Sequence, residues 1–148
     1  MQVRVSSHRD PEPLALEAFE RLGAFALHLE EAPEASELSV AVVGADEMAS
    51  LNEKYRGVAG PTDVLSFGCD DPCPAGSDEP ITLGDVIIAP EVAEKQAAEL
   101  GTTVEAELNL LLVHGILHLL GYEHGADDEA EAMQARERAI LQAWSDQS

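Results

Sequence analysis

Three of the chain's five histidines fall in VHGILHLLGYEHG, residues 113 to 125, at His114, His118 and His124. The spacing H-x-x-x-H-x-x-G-x-x-H is the one zinc metalloproteases of the metzincin type use. On a helix, positions i and i+4 stand one above the other on a single face, so His114 and His118 converge. Burying two imidazoles is costly unless their ring nitrogens find partners, and a metal ion is a partner for both. Gly121, three residues past His118, can adopt the left-handed conformation that ends a helix and reverses the chain. His124, three residues further, then swings back towards the same ion. Three neutral histidines leave the fourth tetrahedral position to water, the arrangement of a catalytic zinc site. Such an ion lowers the pKa of its water to about 7 and acts as a Lewis acid on a carbonyl or phosphoryl oxygen. One Zn2+ ion per chain on His114, His118 and His124 is therefore expected.

The proteases carry a glutamate directly after the first histidine, as the base that takes the water's proton. Here that position is Gly115. Peptide hydrolysis by the usual route is accordingly disfavoured. Glu107 lies two turns before His114 on the same face. It reads equally as an orienter of a ligand or as a surface acid. Glu123 adjoins His124 and is expected to face solvent. His28, near the end of an earlier helix, is expected at the surface facing the helix dipole.

A second dense stretch is LNEKYRGVAGPTDVLSF, residues 51 to 67. It holds Lys54 and Arg56, two of only eight basic residues against 29 acidic ones. Arginine suits bidentate contact with phosphate. On charge alone, however, the plainer reading is a pair of helix-end cations favoured by the macrodipole. Tyr55 and Phe67 read as core or strand aromatics, with base stacking as the alternative. Asp63 and Asp85 read as turn or capping residues, or as orienters of a ligand or of Arg56.

The net charge of −21 repels polyanions over most of the surface. Taken alone it argues against nucleic acid, whose binding rests on Lys and Arg contacts to phosphate. Salt screens charge beyond ~8 Å at physiological strength, so a local basic site remains workable. Cys69 and Cys73, the only cysteines, are too few for a four-ligand zinc finger and read as loop thiols. No apolar run approaches the ~20 residues of a membrane span. The opening MQVRVSSHRDPEP lacks the apolar core of a signal peptide, so the cytoplasm is the expected compartment, with no membrane partner.

These residues need a scaffold. MQVRVSS, ELSVAVVG, PTDVLSFG and ITLGDVIIAP read as strands, the last with a glycine marking a bulge or close approach. LALEAFERLGAFALHLEE has helical period. Asp46 is expected to cap DEMASLNEKYR. Pro90 opens a helix that Gly101 stops. A capping box over Thr102 to Glu105 then starts a helix, roughly Thr103 to Leu120, that is apolar nearly all round and so buried. ADDEAEAMQARERAILQAW is a final amphipathic helix with Met133, Ile140, Leu141 and Trp144 inside. At 148 residues the chain is expected to be one domain, 1–148. Its fold class is α+β: a roughly four-stranded mixed sheet packed against helices, with the zinc site at the end of a buried helix.

Together the blocks LN-EKYRG-PTDVLSF at 51–67, LGDVIIAP at 83–90 and HGILHLLGYEH at 114–124 resemble the YbeY family of bacterial endoribonucleases, the rRNA maturation factors. Order and intervals match from the second strand onward. The resemblance implies a small α+β domain with one zinc on His114, His118 and His124. It places the family's functional arginine on Arg56 and makes Arg56 and His114 the catalytic residues. It further implies a metal-dependent, single-strand-specific endoribonuclease in 16S rRNA 3′-end maturation and ribosome quality control. Its partners would be single-stranded rRNA and the small ribosomal subunit or a ribosomal protein. The chain departs from the family's usual residues at Val58, Gly68 and Glu123, where Lys, Pro and Asp are frequent. Two other readings stand beside it: a metal-dependent hydrolase of another substrate, peptidase-like, and a non-enzymatic ribosome-assembly factor.

Overall fold

The computed structural model describes residues 2–7, 16–68, 81–122 and 126–147. His124, Glu123, Cys69 and Cys73 lie outside the described residues. In chain order the elements are β1 (Gln2–Ser7), α1 (Leu16–Leu29), β2 (Ser36–Val42), α2 (Ala45–Arg56), β3 (Val64–Gly68), β4 (Ile81–Ile88), α3 (Pro90–Leu100), α4 (Val104–Leu119) and α5 (Asp127–Asp146).

Alternation along the strands builds a two-faced sheet. Its order is β1-β2-β4-β3, with β1, β2 and β4 parallel and β3 antiparallel to β4 at the edge. The expected mixed sheet of four strands is therefore the observed one. Val40 sits between Val5 and Val86, and Val86 in turn sits opposite Ser66. On this face α1 and α4 bury Leu22, Leu27, Leu112 and Ile116 against the strands, and α5 adds Met133 and Ile140 by packing on α4 and α1. Each such fully buried aliphatic side chain contributes about 1.5–3 kcal/mol. The opposite face carries a smaller core in which Met48 and Leu51 of α2 meet Leu65, Phe67 and Ile87.

Two local devices hold the register. Glu37 pairs with Thr82 while Leu38 pairs with Gly84, so Leu83 is the extra residue of a bulge. Gly84 has φ 140° and lies so close to β3 that a Cβ there would be 2.1 Å from the Phe67 carbonyl oxygen. Both halves of the sequence expectation for this glycine, bulge and close approach, are realised.

Two capping expectations are corrected. In α2 the cap is Gly44, not Asp46. Asp46 and Glu47 occupy the first turn, where their charge suits the positive helix end. The acceptor for the Ala45 N–H comes instead from α3, through Glu91 Oε1 at 3.3 Å. In α4 the cap is Thr103, whose hydroxyl accepts from the Ala106 N–H at 3.1 Å. A reciprocal box needs its acid three residues after the cap, and that residue is alanine. The apolar circumference of α4 has the expected consequence, with Leu108, Leu111, Leu112, Val113, Ile116 and Leu117 all buried. No single helix among the described residues is long and apolar enough to cross a membrane.

Candidate active site

Helix α4 lies across β3 and β4 and comes closest at Gly115. A Cβ there would sit 2.7 and 3.1 Å from the two Val86 methyls and 3.2 Å from Ser66 Oγ. Ser66 Oγ donates to the Gly115 carbonyl at 3.3 Å. The position where a protease keeps its base thus points into the sheet, and its lack of a side chain is a packing requirement.

His114 and His118 are half-buried on the neighbouring face. His114 Nδ1 is 2.5 Å from Glu137 Oε1, and His118 Nδ1 is 3.1 Å from the Tyr122 carbonyl oxygen. A carbonyl oxygen only accepts, so the proton of His118 sits on Nδ1. A carboxylate likewise accepts from His114 Nδ1. Both Nε2 atoms are then lone-pair donors, and they are 3.1 Å apart with the rings at 86°. Two lone pairs this close repel unless a cation, metal or proton, joins them. The donor set fits a zinc ion: two neutral imidazoles, each with its far nitrogen tied to an oxygen acceptor. Among the described residues no third His, Cys, Asp or Glu completes a metal-ligand group.

The helix end has the geometry foreseen for Gly121. Its φ is 102°, its N–H donates to His118 O at 3.1 Å, and the Tyr122 N–H donates to Leu117 O at 3.0 Å. These are the two bonds of a Schellman motif. They are what bring the Tyr122 carbonyl within reach of the His118 ring.

A cleft of about 520 Å³ opens over the histidines, lined by Arg56, Asp63, Ser66, His114, His118 and Leu119 among others. Arg56 is the exposed last residue of α2, stopped by Gly57 in the left-handed conformation at φ 70°. No described carboxylate pairs with it. Lys54 does not join it, because two residues of helix rotate a side chain by about 200°. Its ammonium lies 5.1 Å over the Tyr55 ring instead. Asp63 does reach the cleft, with Oδ1 accepting from the Val64 N–H at 2.8 Å. Asp85 does not. It projects from the opposite sheet face into a separate pocket beside Tyr55 and Phe67. The core reading of Tyr55 is overturned, since the residue is 56% exposed, its ring packing edge-on to half-buried Phe67 at 5.0 Å. His28 is exposed at the end of α1, as expected.

The surface reading of Glu107 is overturned. It is buried rather than on the surface, and the carboxylate against His114 is Glu137. Sequence reasoning missed Glu137, although an acid four residues after Met133 and three before Ile140 stands in the apolar stripe of α5. Burial, and then the nearby Asp63 charge, push the Glu107 carboxyl above its ordinary 4.5. A raised acid binds its proton more tightly in the folded state, so stability falls as pH rises from 4.5 through the folded value. We expect the loss of unfolding free energy between pH 4.5 and pH 7 in urea titrations to be smaller in Glu107→Gln than in wild type. An unchanged difference would show that Glu107 ionises freely in the fold.

A family model described as Endoribonuclease YbeY matches residues 5–145. The chain is 44% identical over 115 residues to the endoribonuclease YbeY of Mycolicibacterium gilvum, covering 74% of this chain and 65% of that protein. It is 42% identical over 131 residues to that of Geobacillus kaustophilus, covering 85% and 84%. To that of Acidothermus cellulolyticus it is 46% identical over 116 residues, covering 74% and 71%. The match spans just under two thirds of the length of the Mycolicibacterium gilvum protein. The solution structure of TM1509 from Thermotoga maritima has the same fold, with a TM-score of 0.63 at 25% identity over 98% of this chain and 93% of that one. The match runs from the first strand to the last helix and takes in both Arg56 and the histidine helix. The chain belongs to the endoribonuclease YbeY family.

Proposed function

We propose that the protein is a metal-dependent endoribonuclease that cuts single-stranded rRNA, acting in 16S rRNA 3′-end maturation and ribosome quality control. The observation that carries this reading is one cleft lined by Arg56 and by two histidines whose Nε2 atoms face each other at 3.1 Å. His114, His118 and, from outside the described residues, His124 would hold the Zn2+ ion. Bound there, zinc supplies Lewis acidity and a readily ionised water. Arg56 binds a phosphate oxygen of the backbone and neutralises charge that grows at phosphorus during cleavage. Gly115 bears no side chain, so the peptidase alternative lacks its usual base.

Substrate form follows from charge. A −21 chain repels long stretches of phosphate, so RNA engages at the Arg56 cleft rather than along a broad basic surface. Single-stranded, locally unstacked RNA is what such a short site can take. A basic ribosomal protein of the small subunit suits the acidic surface and would deliver the rRNA. The compartment of this work is the cytoplasm.

The test is cleavage of a single-stranded rRNA fragment and its duplex by zinc-loaded, chelator-stripped and zinc-restored protein. We expect single-strand cleavage that disappears with the metal and returns with it. A 2′,3′-cyclic phosphate end assigns attack to the 2′-OH, and a 5′-phosphate end assigns it to water. Zinc-loaded protein that leaves single-stranded RNA intact sinks the nuclease reading. Casein hydrolysis would then support the peptidase alternative, and co-sedimentation with small subunits the assembly factor.

A further inference from the structure

We propose that two adjacent residues of α5, Arg136 and Glu137, are positioning residues that orient both histidine rings: Glu137 directly, and Arg136 through Glu30 and Tyr122. Glu137 is buried in the inner stripe of α5, and its Oε1 is 2.5 Å from His114 Nδ1. A buried carboxylate is costly unless a donor compensates it, and this imidazole N–H is the compensating donor.

Arg136 points to another side of the same helix. Its Nε donates to Glu30 Oε1 at 2.7 Å, and a second guanidinium nitrogen lies 2.6 Å from the same oxygen. The other oxygen, Glu30 Oε2, accepts from the Tyr122 hydroxyl at 2.9 Å. Tyr122 is thereby held by its side chain, by its N–H on Leu117 O, and by its carbonyl on His118 Nδ1. The consequence is local to the cleft. Each Nδ1 proton is held by an oxygen acceptor, so the two Nε2 atoms face each other against the repulsion of their lone pairs, which a cation relieves.

The inference rests on the metal reading for its purpose, but ring orientation is measurable without a metal. Nitrogen-15 correlation spectra of metal-free protein at about pH 8.5, two units above the ordinary histidine pKa of about 6.5, report which ring nitrogen bears the proton. We expect Nδ1–H for both His114 and His118 in wild type. In Glu137→Ala, His114 shifts towards Nε2–H, the form neutral imidazole prefers in water, while His118 is unchanged. In Glu30→Ala the Nδ1–H share of His118 falls while His114 is unchanged. Glu137→Gln keeps an acceptor oxygen and so keeps the wild-type pattern at His114. Chelator competition should show zinc affinity reduced roughly 10- to 100-fold in Glu137→Ala and less in Glu30→Ala. A merely structural role would lower unfolding midpoints without moving the ring protons.

His114 protonated at Nε2 in the folded wild type overturns the proposal, and this holds even if Glu137→Ala fails to fold. Unchanged ring protons and zinc affinity in a folded Glu137→Ala overturn it as well. Wild type with Nδ1–H on both rings but no zinc binding would leave the positioning intact and remove the metal reading.

Discussion

Gly115→Glu is expected to unfold the protein rather than supply it with a protease's base. The Cβ alone would stand 2.7 Å from one Val86 methyl and 3.1 Å from the other. Val86 is fully buried in β4, and its β-branched side chain has little rotamer freedom with which to yield. Helix α4 cannot retreat, because Leu112 and Ile116 on either side of position 115 are themselves fully buried. Overpacking by a methyl group costs about 1–3 kcal/mol. Driving a carboxylate into the same seam adds several kcal/mol more. Against a typical total of about 5–15 kcal/mol, the sum removes most or all of the stability. Urea unfolding followed by circular dichroism should show Gly115→Ala destabilised by about 1–3 kcal/mol. Gly115→Glu should show no cooperative transition. Val86→Ala combined with Gly115→Ala should recover part of the loss, since the two positions share one contact. A Gly115→Glu protein as stable as wild type, or one that digests casein, would contradict this account of the missing base.

Arg56→Ala is expected to lower RNA cleavage by about 100- to 1,000-fold in the cleavage step, the effect of removing one preorganised donor from developing charge. The fold should be untouched. Arg56 is an exposed helix-end residue with no described carboxylate partner, and surface substitutions of that kind stay within about 0.5 kcal/mol. Arg56→Lys restores the charge but not the fork, and should recover only part of the rate. Lys54→Ala should matter far less, because its ammonium sits over Tyr55 outside the cleft. Single-turnover cleavage of a single-stranded rRNA fragment by zinc-loaded variants, beside their urea midpoints, separates chemistry from folding. Wild-type rates in Arg56→Ala would remove the phosphate role from this arginine.

Short-range signals carried much of the scaffold. Every strand and helix falls where alternation, helical period, Pro90, Gly101 and Gly121 placed it. Such features act over a few residues of backbone, so neighbours in sequence suffice to read them. Caps proved harder. Asp46 and the Thr102–Glu105 box were off by one or two positions, because the acceptor for α2 comes from Glu91, in a different helix. The same distance effect decided Tyr55, whose ring lies on the surface of α2 with half-buried Phe67 as its neighbour.

By itself the sequence determined that two imidazoles share one helical face, since a spacing of four on a helix leaves no other arrangement. It also determined that Gly121 would turn the chain, and that position 115 had no base to offer. Only the tertiary structure decided why position 115 is glycine, which depends on Val86 and Ser66 reaching it from two strands. The packing likewise buried Glu107, brought Arg56 into the cleft of His114 and His118, and sent Lys54 and Asp85 elsewhere. It set Glu137 against His114 across 23 residues of chain and Glu30 against Tyr122 across 92. Helical spacing orders side chains within one element. Which carboxylate meets which ring depends on how separate elements pack against each other, and no local pattern encodes that.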